Sequence, residues 1–286
     1  MLVLKWCMTI AAIAAALVAS GTIALAGLGQ PSPWQLGLQE SASAAMDQLT
    51  GFHTFLLVII TLITILVLGL LLTAMVRFNA EANPTPSRTT HNTLIEVAWT
   101  VVPIVVLGLI VVPSFKLLFL QLDIPPADLT VKATGQQWSW SYSYPDNGNL
   151  EFPSLLACDK ARTVCESPRL LAVDNDMVVP VNKVVRVQVI GADVIHSYTV
   201  PSFGIKIDAV PGRLNETWFK AEREGVFYGQ CSELCGRDHA FMPIAVRVVS
   251  DKDFTAWVED MKKKGYARSN DAPPTAFAAV EPTGIR

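Results

Sequence analysis

The stretch that decides the fold is residues 55–76, an unbroken apolar run that reads FLLVIITLITILVLGLLLTAMV. At about 1.5 Å per residue, an uncharged helix of this length crosses the roughly 30 Å hydrocarbon layer of a membrane. The composition agrees, because only 16% of all residues are charged and the mean hydropathy is +0.38. These values disfavour an ordinary soluble enzyme, and a net charge of −3 provides no basic field for nucleic acid.

A second apolar run, residues 97–120, predicts a second spanning helix although it contains Pro103 and Pro113. Prolines are tolerated in membrane helices when neighbouring protein satisfies the freed backbone groups. We therefore predict a two-helix transmembrane hairpin, with helices at about 55–76 and 97–120, within an N-terminal unit of residues 27–122.

The positive charges around this hairpin predict its orientation. The connecting loop carries Arg77 and Arg88, whereas residues 27–52 contain no Lys or Arg. By the positive-inside rule the loop is cytoplasmic, and both ends of the mature chain lie outside.

The first 26 residues have the pattern of a secretory signal peptide. Lys5 precedes a long apolar stretch that ends in Ala24-Leu25-Ala26, the small-residue pattern of a cleavage site. We expect cleavage after Ala26, which also removes Cys7; the alternative is an uncleaved transmembrane helix.

From residue 123 the sequence changes to short β-branched segments separated by Pro, Gly, Asn and Asp. This pattern is typical of an antiparallel sandwich or barrel. We predict one outer domain, residues 123–262, followed by a disordered tail, residues 263–286, that has little to bury. The predicted strands lie at 129–131, 170–173, 184–190, 199–200 and 244–249.

Soft metal ligands are concentrated in one segment of the outer domain. Cys231, Cys235, His239 and Met242 follow one another within CSELCGRDHAFM, and His196 follows a predicted strand. Thiolates, imidazoles and a thioether suit copper better than hard cations. Two thiolates that bridge two copper ions would use every one of these ligands.

Two alternatives remain open for this segment. The two cysteines and two histidines would also form a structural zinc site, in which Met242 has no role. Two neighbouring cysteines of an exported protein could instead form a disulfide. Cys158 and Cys165 present the same choice between a disulfide and free thiols.

An aromatic run, WSWSYSY at residues 138–144, alternates with serine. In a strand, residues two apart share one face, so Trp138, Trp140, Tyr142 and Tyr144 would point the same way. We predict that Trp140 and Tyr142 pack in the core.

Several motifs together resemble subunit II of the haem–copper cytochrome c oxidases over residues 47–260. They are GQCSELCG with the following His239 and Met242-Pro243, VIHS at 194–197, DAVPGRL at 208–214, GQQW at 135–138 and EVAWT at 96–100. The resemblance implies that the outer domain is a cupredoxin-like Greek-key barrel with a dinuclear copper centre. It implies that Cys231 and Cys235 bridge the metals, that His196 and His239 bind one metal each, that Met242 is a weak ligand, and that Glu233 contributes its carbonyl oxygen.

The same resemblance implies roles for three further side chains. Trp138 matches the tryptophan through which electrons enter from cytochrome c, and Glu96 matches the mouth of a proton path. The Glu233 carboxylate matches a ligand of a magnesium or manganese ion shared with subunit I. The alternatives are that Glu96 only stabilises the start of its helix through the helix dipole, and that the Glu233 side chain is exposed to solvent without binding a metal.

The implied partners are subunits I and III, a cytochrome c, and the lipid of a bacterial inner membrane, with the copper domain in the periplasm and the haem only in subunit I. The implied activity is oxygen reduction to water coupled to proton translocation. Residues 124–260 contain 18 Asp and Glu against 13 Lys and Arg, an excess that would attract a basic cytochrome. Asp174, Asp176 and Asp193 are the candidate docking charges. The related quinol-oxidising subunits lack the copper ligands that this sequence retains.

Overall fold

The computed structural model describes residues 29–159, 162 and 164–267 of the chain. Within them, two long helices precede a β domain, which confirms the predicted two-helix hairpin and all-β outer domain. The predicted signal peptide and the tail beyond residue 267 lie outside the described residues.

Helices α1, Ala44–Arg77, and α2, Thr93–Leu122, contact each other, and most of their large apolar side chains are exposed. Among the described residues, these two helices are long and apolar enough to span a membrane. Helix α1 begins ahead of the apolar run that predicted it, because the Ser43 side chain accepts a hydrogen bond from the Met46 amide and caps the helix.

Within the described residues, the β domain contains ten strands in three sheets. The largest sheet has the order β3-β2-β1-β5-β8, the second β4-β10-β9, and the third pairs β6 with β7. The strands are β1 Leu129–Gln136, β2 Ser139–Tyr144, β3 Leu150–Ser154, β4 Met177–Pro180, β5 Val184–Gly191, β6 His196–Val200, β7 Ile205–Ala209, β8 Asn215–Lys220, β9 Gly225–Gln230 and β10 Pro243–Val249.

Two details of this domain differ from the sequence-based expectation. Two of the three sheets are mixed rather than antiparallel, because β1 pairs with β5, and β4 with β10, in parallel. Residues 170–173 are not a strand: the amides of Leu171 and Ala172 both donate to the Pro168 carbonyl at 3.0 Å, which closes a turn. Local β-propensity could reveal neither feature, because both depend on which backbone groups meet in the fold.

The core is rich in fully buried aromatic side chains, and this confirms the prediction for Trp140 and Tyr142. Strand β1 shows the expected alternation, with every second residue buried from Leu129 onward. The largest buried aromatics are Trp140, Tyr142, Tyr144, Phe152, Tyr198, Phe203, Phe219 and Phe227. Helix α3, Asp251–Lys263, covers one side of this core through Val258 and Met261.

The helices are attached to the β domain at one end of the hairpin. The Ser43 hydroxyl donates to the Phe203 carbonyl at 2.8 Å, and the Gln121 side chain donates to the Gly204 carbonyl at 3.1 Å. Trp218 donates its indole N–H to the Leu120 carbonyl at 3.2 Å. The start of α1 and the end of α2 therefore lie on the same side of the predicted membrane.

The outer domain has ordered features beyond the predicted strands. Cys158 and Cys165 form a disulfide. After α3, Tyr266 packs against Phe152, and its carbonyl accepts the Glu151 amide at 3.0 Å, so ordered structure continues past the predicted domain boundary at residue 262.

Candidate metal centre

The ligand candidates come from two places in the fold. His196 is the first residue of β6, and the others lie in the loop between β9 and β10, which we call the ligand loop, residues 231–242. The Ser232 amide donates to the Ser197 carbonyl at 3.0 Å and joins the loop to β6. A side chain at Gly229 would collide with the Thr199 carbonyl oxygen, so glycine is needed for this close approach.

The sulfur and nitrogen atoms of the predicted ligands converge on one another. The sulfur of Cys231 lies 3.9 Å from that of Cys235 and 3.9 Å from Nδ1 of His196. The sulfur of Cys235 lies 3.5 Å from Nδ1 of His239 and 3.5 Å from Sδ of Met242. The Glu233 carbonyl oxygen lies 3.4 Å from the Cys231 sulfur. The fold thus brings together all six predicted copper ligands.

The two ligand cysteines are buried free thiols, so the disulfide alternative does not describe them in this structure. Candidate ligand atoms of His196, Cys231 and Cys235 all lie within 4.8 Å of one another, the arrangement of a metal-binding cluster. Sulfur and imidazole donors fit copper, and this donor set is too soft for magnesium or calcium.

The imidazole of His196 is buried, and Asp193 holds it on the side opposite Cys231. Its Nε2 donates to Oδ1 of Asp193 at 2.9 Å, and its Nδ1 faces the sulfur of Cys231. Asp193 also accepts the amides of Val194 and Gln137, each at 2.7 Å. A carboxylate in this position fixes the tautomer and the ring orientation of a ligand histidine.

These contacts determine the direction of two pKa shifts. Burial raises the pKa of Asp193, but the hydrogen bonds from His196 and the two amides outweigh it and lower the pKa. For His196, burial alone would lower the pKa, and the contacts with Cys231 and Asp193 raise it above its usual value.

The pKa values of the two thiols are shifted in opposite directions. Burial raises the pKa of Cys231, yet the hydrogen bond with His196 and backbone contacts lower it overall. For Cys235, burial raises the pKa and the neighbouring Cys231 thiolate raises it further.

Trp138 and Gln137 form the turn between β1 and β2, and both contact the ligand loop. The Gln137 side chain donates to the Cys235 carbonyl at 2.8 Å. The half-buried indole of Trp138 packs against Gly236, where a Cβ would lie 3.0 Å from indole Cζ2. Arg237 lies over the indole, with Cζ at 5.7 Å from the ring centroid.

Trp140 supports the centre from the core. Its indole N–H donates to the Met242 carbonyl at 3.3 Å, and its ring meets His196 edge-on with centroids 6.1 Å apart. Gly135 leaves room for this pair, because a Cβ there would lie 3.0 Å from the ring atoms of both His196 and Trp140.

The remaining predicted site residues lie away from the thiols. Glu96 is in the first turn of α2, and the Glu233 side chain is exposed. Asp174 accepts the Leu155 amide at 2.7 Å, and Asp176 pairs with Arg247. Of the candidate docking acids, only Asp193 contacts a predicted ligand among the described residues.

Sequence reasoning gave no role to Asp238 and missed the part that Asp193 plays behind His196. Asp238 is buried, and its pKa is lowered chiefly by a hydrogen bond from Arg162, with Arg237 also contributing. The three-residue spacing between Asp193 and His196 was a signal that could have indicated their contact. No local pattern links Arg162 to Asp238, because they lie far apart in sequence.

Comparison with known proteins agrees with this architecture. Residues 31–117 match the family described as the transmembrane domain of cytochrome c oxidase subunit II, and residues 129–249 match its periplasmic domain. A probable cytochrome c oxidase subunit 2 of Rickettsia felis is 50% identical over 265 residues, covering 93% of this chain and 82% of the relative.

A second relative and a solved domain structure are also similar to this chain. Cytochrome c oxidase subunit 2 of Cereibacter sphaeroides is 49% identical over 272 residues and covers 89% of each chain. The crystal structure of the periplasmic domain of subunit II of cytochrome oxidase from Bradyrhizobium japonicum is 70% identical, with a TM-score of 0.47, and covers 50% of this chain and 99% of that one. From the matches to both domains and to full-length relatives, the chain belongs to the cytochrome c oxidase subunit II family, whose members are components of haem–copper oxidases.

Proposed function

We propose that this chain accepts electrons from cytochrome c at two copper ions and passes them to haem in subunit I, where oxygen is reduced to water with proton translocation. The observation that carries the proposal is the pair of unbonded thiols, 3.9 Å apart, each next to its own imidazole. Cys231 and Cys235 would bridge the ions, and each histidine would bind one.

The sulfur separation supports a bridged pair of metals. Metal–thiolate bonds of about 2.3 Å allow one ion to reach both sulfurs when these lie less than about 4.6 Å apart. The two imidazoles approach different sulfurs, His196 that of Cys231 and His239 that of Cys235. A single tetrahedral zinc would not use Met242, whose sulfur lies 3.5 Å from Cys235.

When bound, the copper pair would supply a reversible one-electron couple. The protein's own part is to keep the ligands from moving. His196 is fixed by Asp193, Met242 is tied through its carbonyl to Trp140, and the Cys235 carbonyl is tied to Gln137. Ligands held in one arrangement favour fast electron transfer, because little has to reorganise.

Trp138 is the proposed point where the electron enters. It is only partly buried, and it contacts the ligand loop at Gly236, next to Cys235. A π-system that reaches from the surface to the loop supports this role. The indole nitrogen has no hydrogen-bond partner among the described residues.

The acidic excess of the β domain supports a basic cytochrome as the donor. The proposed docking roles of Asp174, Asp176 and Asp193 rest on this overall charge. Each of the three carboxylates already has a hydrogen-bond or ion-pair partner within the chain.

Two glutamates are proposed to act at the boundary with subunit I. Glu96 lies in the first turn of α2, at the end of the hairpin away from the β domain, where a proton path could begin. The exposed Glu233 side chain, next to Leu234 at 79% exposure, is available to reach a magnesium or manganese ion shared with subunit I.

The proposed orientation places the β domain and residues 29–43 in the periplasm of a bacterial inner membrane. Residues 29–43 support this arrangement because they return to the β domain: the Gly29 carbonyl accepts the Tyr228 amide at 2.7 Å, and the Ala42 amide donates to Ser202 at 2.8 Å. Arg77, the last residue of α1, and Arg88, in the connecting loop, lie at the opposite end of the hairpin.

The test uses the purified oxidase complex that contains the full chain. We expect Cys235→Ser to remove two copper ions per complex by elemental analysis, together with the EPR signal of an electron shared by two copper nuclei. Ser232→Ala, in the same loop but not a ligand, should change neither quantity. Loss of zinc, or of a single copper without that signal, would disprove the proposal.

A further inference from the structure

The disulfide Cys158–Cys165 closes a hairpin that the predicted function does not use. We call residues 156–159 and 164–173, with Arg162 at the tip, the disulfide hairpin. The Asp159 and Glu166 amides donate to the Val164 and Ala157 carbonyls, both at 2.9 Å, and Ala157 donates to Ala172 at 2.9 Å. Backbone bonds and a covalent bond thus hold the hairpin together.

The tip of the disulfide hairpin rests on the ligand loop. Arg162 Nη2 donates to Oδ2 of Asp238 at 3.0 Å, and the guanidinium carbon lies 4.3 Å from the centroid of the Phe241 ring. Asp238 directly precedes His239, and Phe241 directly precedes Met242. One side chain therefore contacts the neighbours of both ligands in the second half of the loop.

Asp238 is suited to act as an anchor for this half of the loop. Only 11% of its side chain is exposed, and its other oxygen lies 3.5 Å from Nε of Arg237. Asp238 makes no side-chain capping bond to the short helical turn His239–Phe241 that follows it. Its carboxylate forms ion pairs with Arg162 and Arg237 instead.

The backbone at the tip has a conformation that is unusual for arginine. Arg162 has a φ of 56°, in the left-handed region where glycine or asparagine is usual. An arginine there is unfavourable for the backbone, so its side-chain contacts must compensate.

We propose that Arg162 is a positioning residue for the metal centre and that the disulfide hairpin braces the His239–Met242 half of the ligand loop. The proposal rests on the proposed function for the metal, but the brace itself consists of protein contacts alone. It requires opposite states of the two cysteine pairs, with Cys158 bonded to Cys165 while Cys231 and Cys235 remain free to bind.

The first experiment needs no metal. In the metal-free full chain in detergent, we expect Arg162→Ala to speed hydrogen–deuterium exchange of the peptide that covers residues 236–242 several-fold, because local opening becomes easier. Arg162→Lys, which keeps the charge but lacks the planar fork, should give an intermediate rate. The control is Arg169→Ala, an exposed arginine elsewhere in the same hairpin. Equal exchange in all four proteins would overturn the brace.

The second experiment loads the same proteins with copper and follows its loss to a chelator. Arg162→Ala should lose copper about tenfold faster than the wild type, the lower end of the effect of residues that orient metal ligands. Replacing both Cys158 and Cys165 by serine should also speed the loss of copper. Unchanged loss rates would also overturn the proposal. If the wild type binds only one metal ion per chain, the dinuclear function is refuted. The exchange experiment would still test whether Arg162 braces the ligand loop.

Discussion

Replacing Asp193 by asparagine tests whether the centre depends on the carboxylate behind His196. The carboxylate accepts three hydrogen bonds, from the His196 ring and from the Val194 and Gln137 amides, at 2.7–2.9 Å. Asparagine has one acceptor oxygen and one NH2 group. If the asparagine oxygen accepts from His196 and Val194, the NH2 group faces the Gln137 amide, which is also a donor. If the side-chain amide is rotated by half a turn, the NH2 group faces the other two donors.

The size of the effect follows from these contacts. A hydrogen bond to a charged group contributes about 1.5–3 kcal/mol. Because 34% of the Asp193 side chain is exposed, water partly replaces the lost acceptor, so we take the lower part of that range. About 1.5–2 kcal/mol corresponds to roughly 10–30-fold weaker copper binding, within the range for partners of ligand histidines.

The assay is a competition between the purified full chain and a copper chelator, without any cytochrome. This design separates the ligand-orienting role of Asp193 from a docking role, which would appear only as altered salt dependence of cytochrome oxidation. Glu216→Gln is the matched control, because it removes one negative charge from a carboxylate that contacts only Gln188 among the described residues. Copper affinity of Asp193→Asn equal to that of the control would refute the reasoning.

Three further predictions concern the remaining site residues. Trp138→Ala should slow reduction by cytochrome c in stopped-flow measurements and leave the copper EPR spectrum intact, whereas Trp34→Ala, whose side chain is exposed, should change neither. Glu96→Gln should lower oxygen turnover with copper reduction unaffected, and Glu81→Gln in the connecting loop should not; equal proton uptake in both variants would contradict the path. Burial and the adjacent thiolate raise the pKa of Cys235, so copper binding must displace its proton. Apparent copper affinity should therefore rise about tenfold per pH unit around neutrality, and a flat titration would exclude that protonated thiol.

Some features follow from local sequence because the physics that produces them is local. A run of 22 residues without a charge, residues 55–76, must become a helix in lipid to satisfy its own backbone. Four of the predicted ligand side chains lie within one loop, so their spacing already brings them close. The sequence pattern did not predict where α1 begins. The turns before the apolar run depend on the Ser43 cap and on packing of Met46 against the β domain.

The features that required the tertiary structure join residues far apart in the chain. His196 reaches the thiols because β6 packs beside β9, which Gly229 permits. Strands β1 and β5 pair in parallel, and a long connection separates them in the chain. The residues of the two strands do not by themselves indicate this pairing.

The sequence alone predicted the helices and the candidate ligands, since composition, short spacing and the family motifs are all local features. Only the folded chain decided that Asp193 lies behind His196 and that Arg162 contacts Asp238 across the disulfide hairpin. Such contacts arise from the packing of separate elements, and packing depends on every element at once rather than on any one stretch.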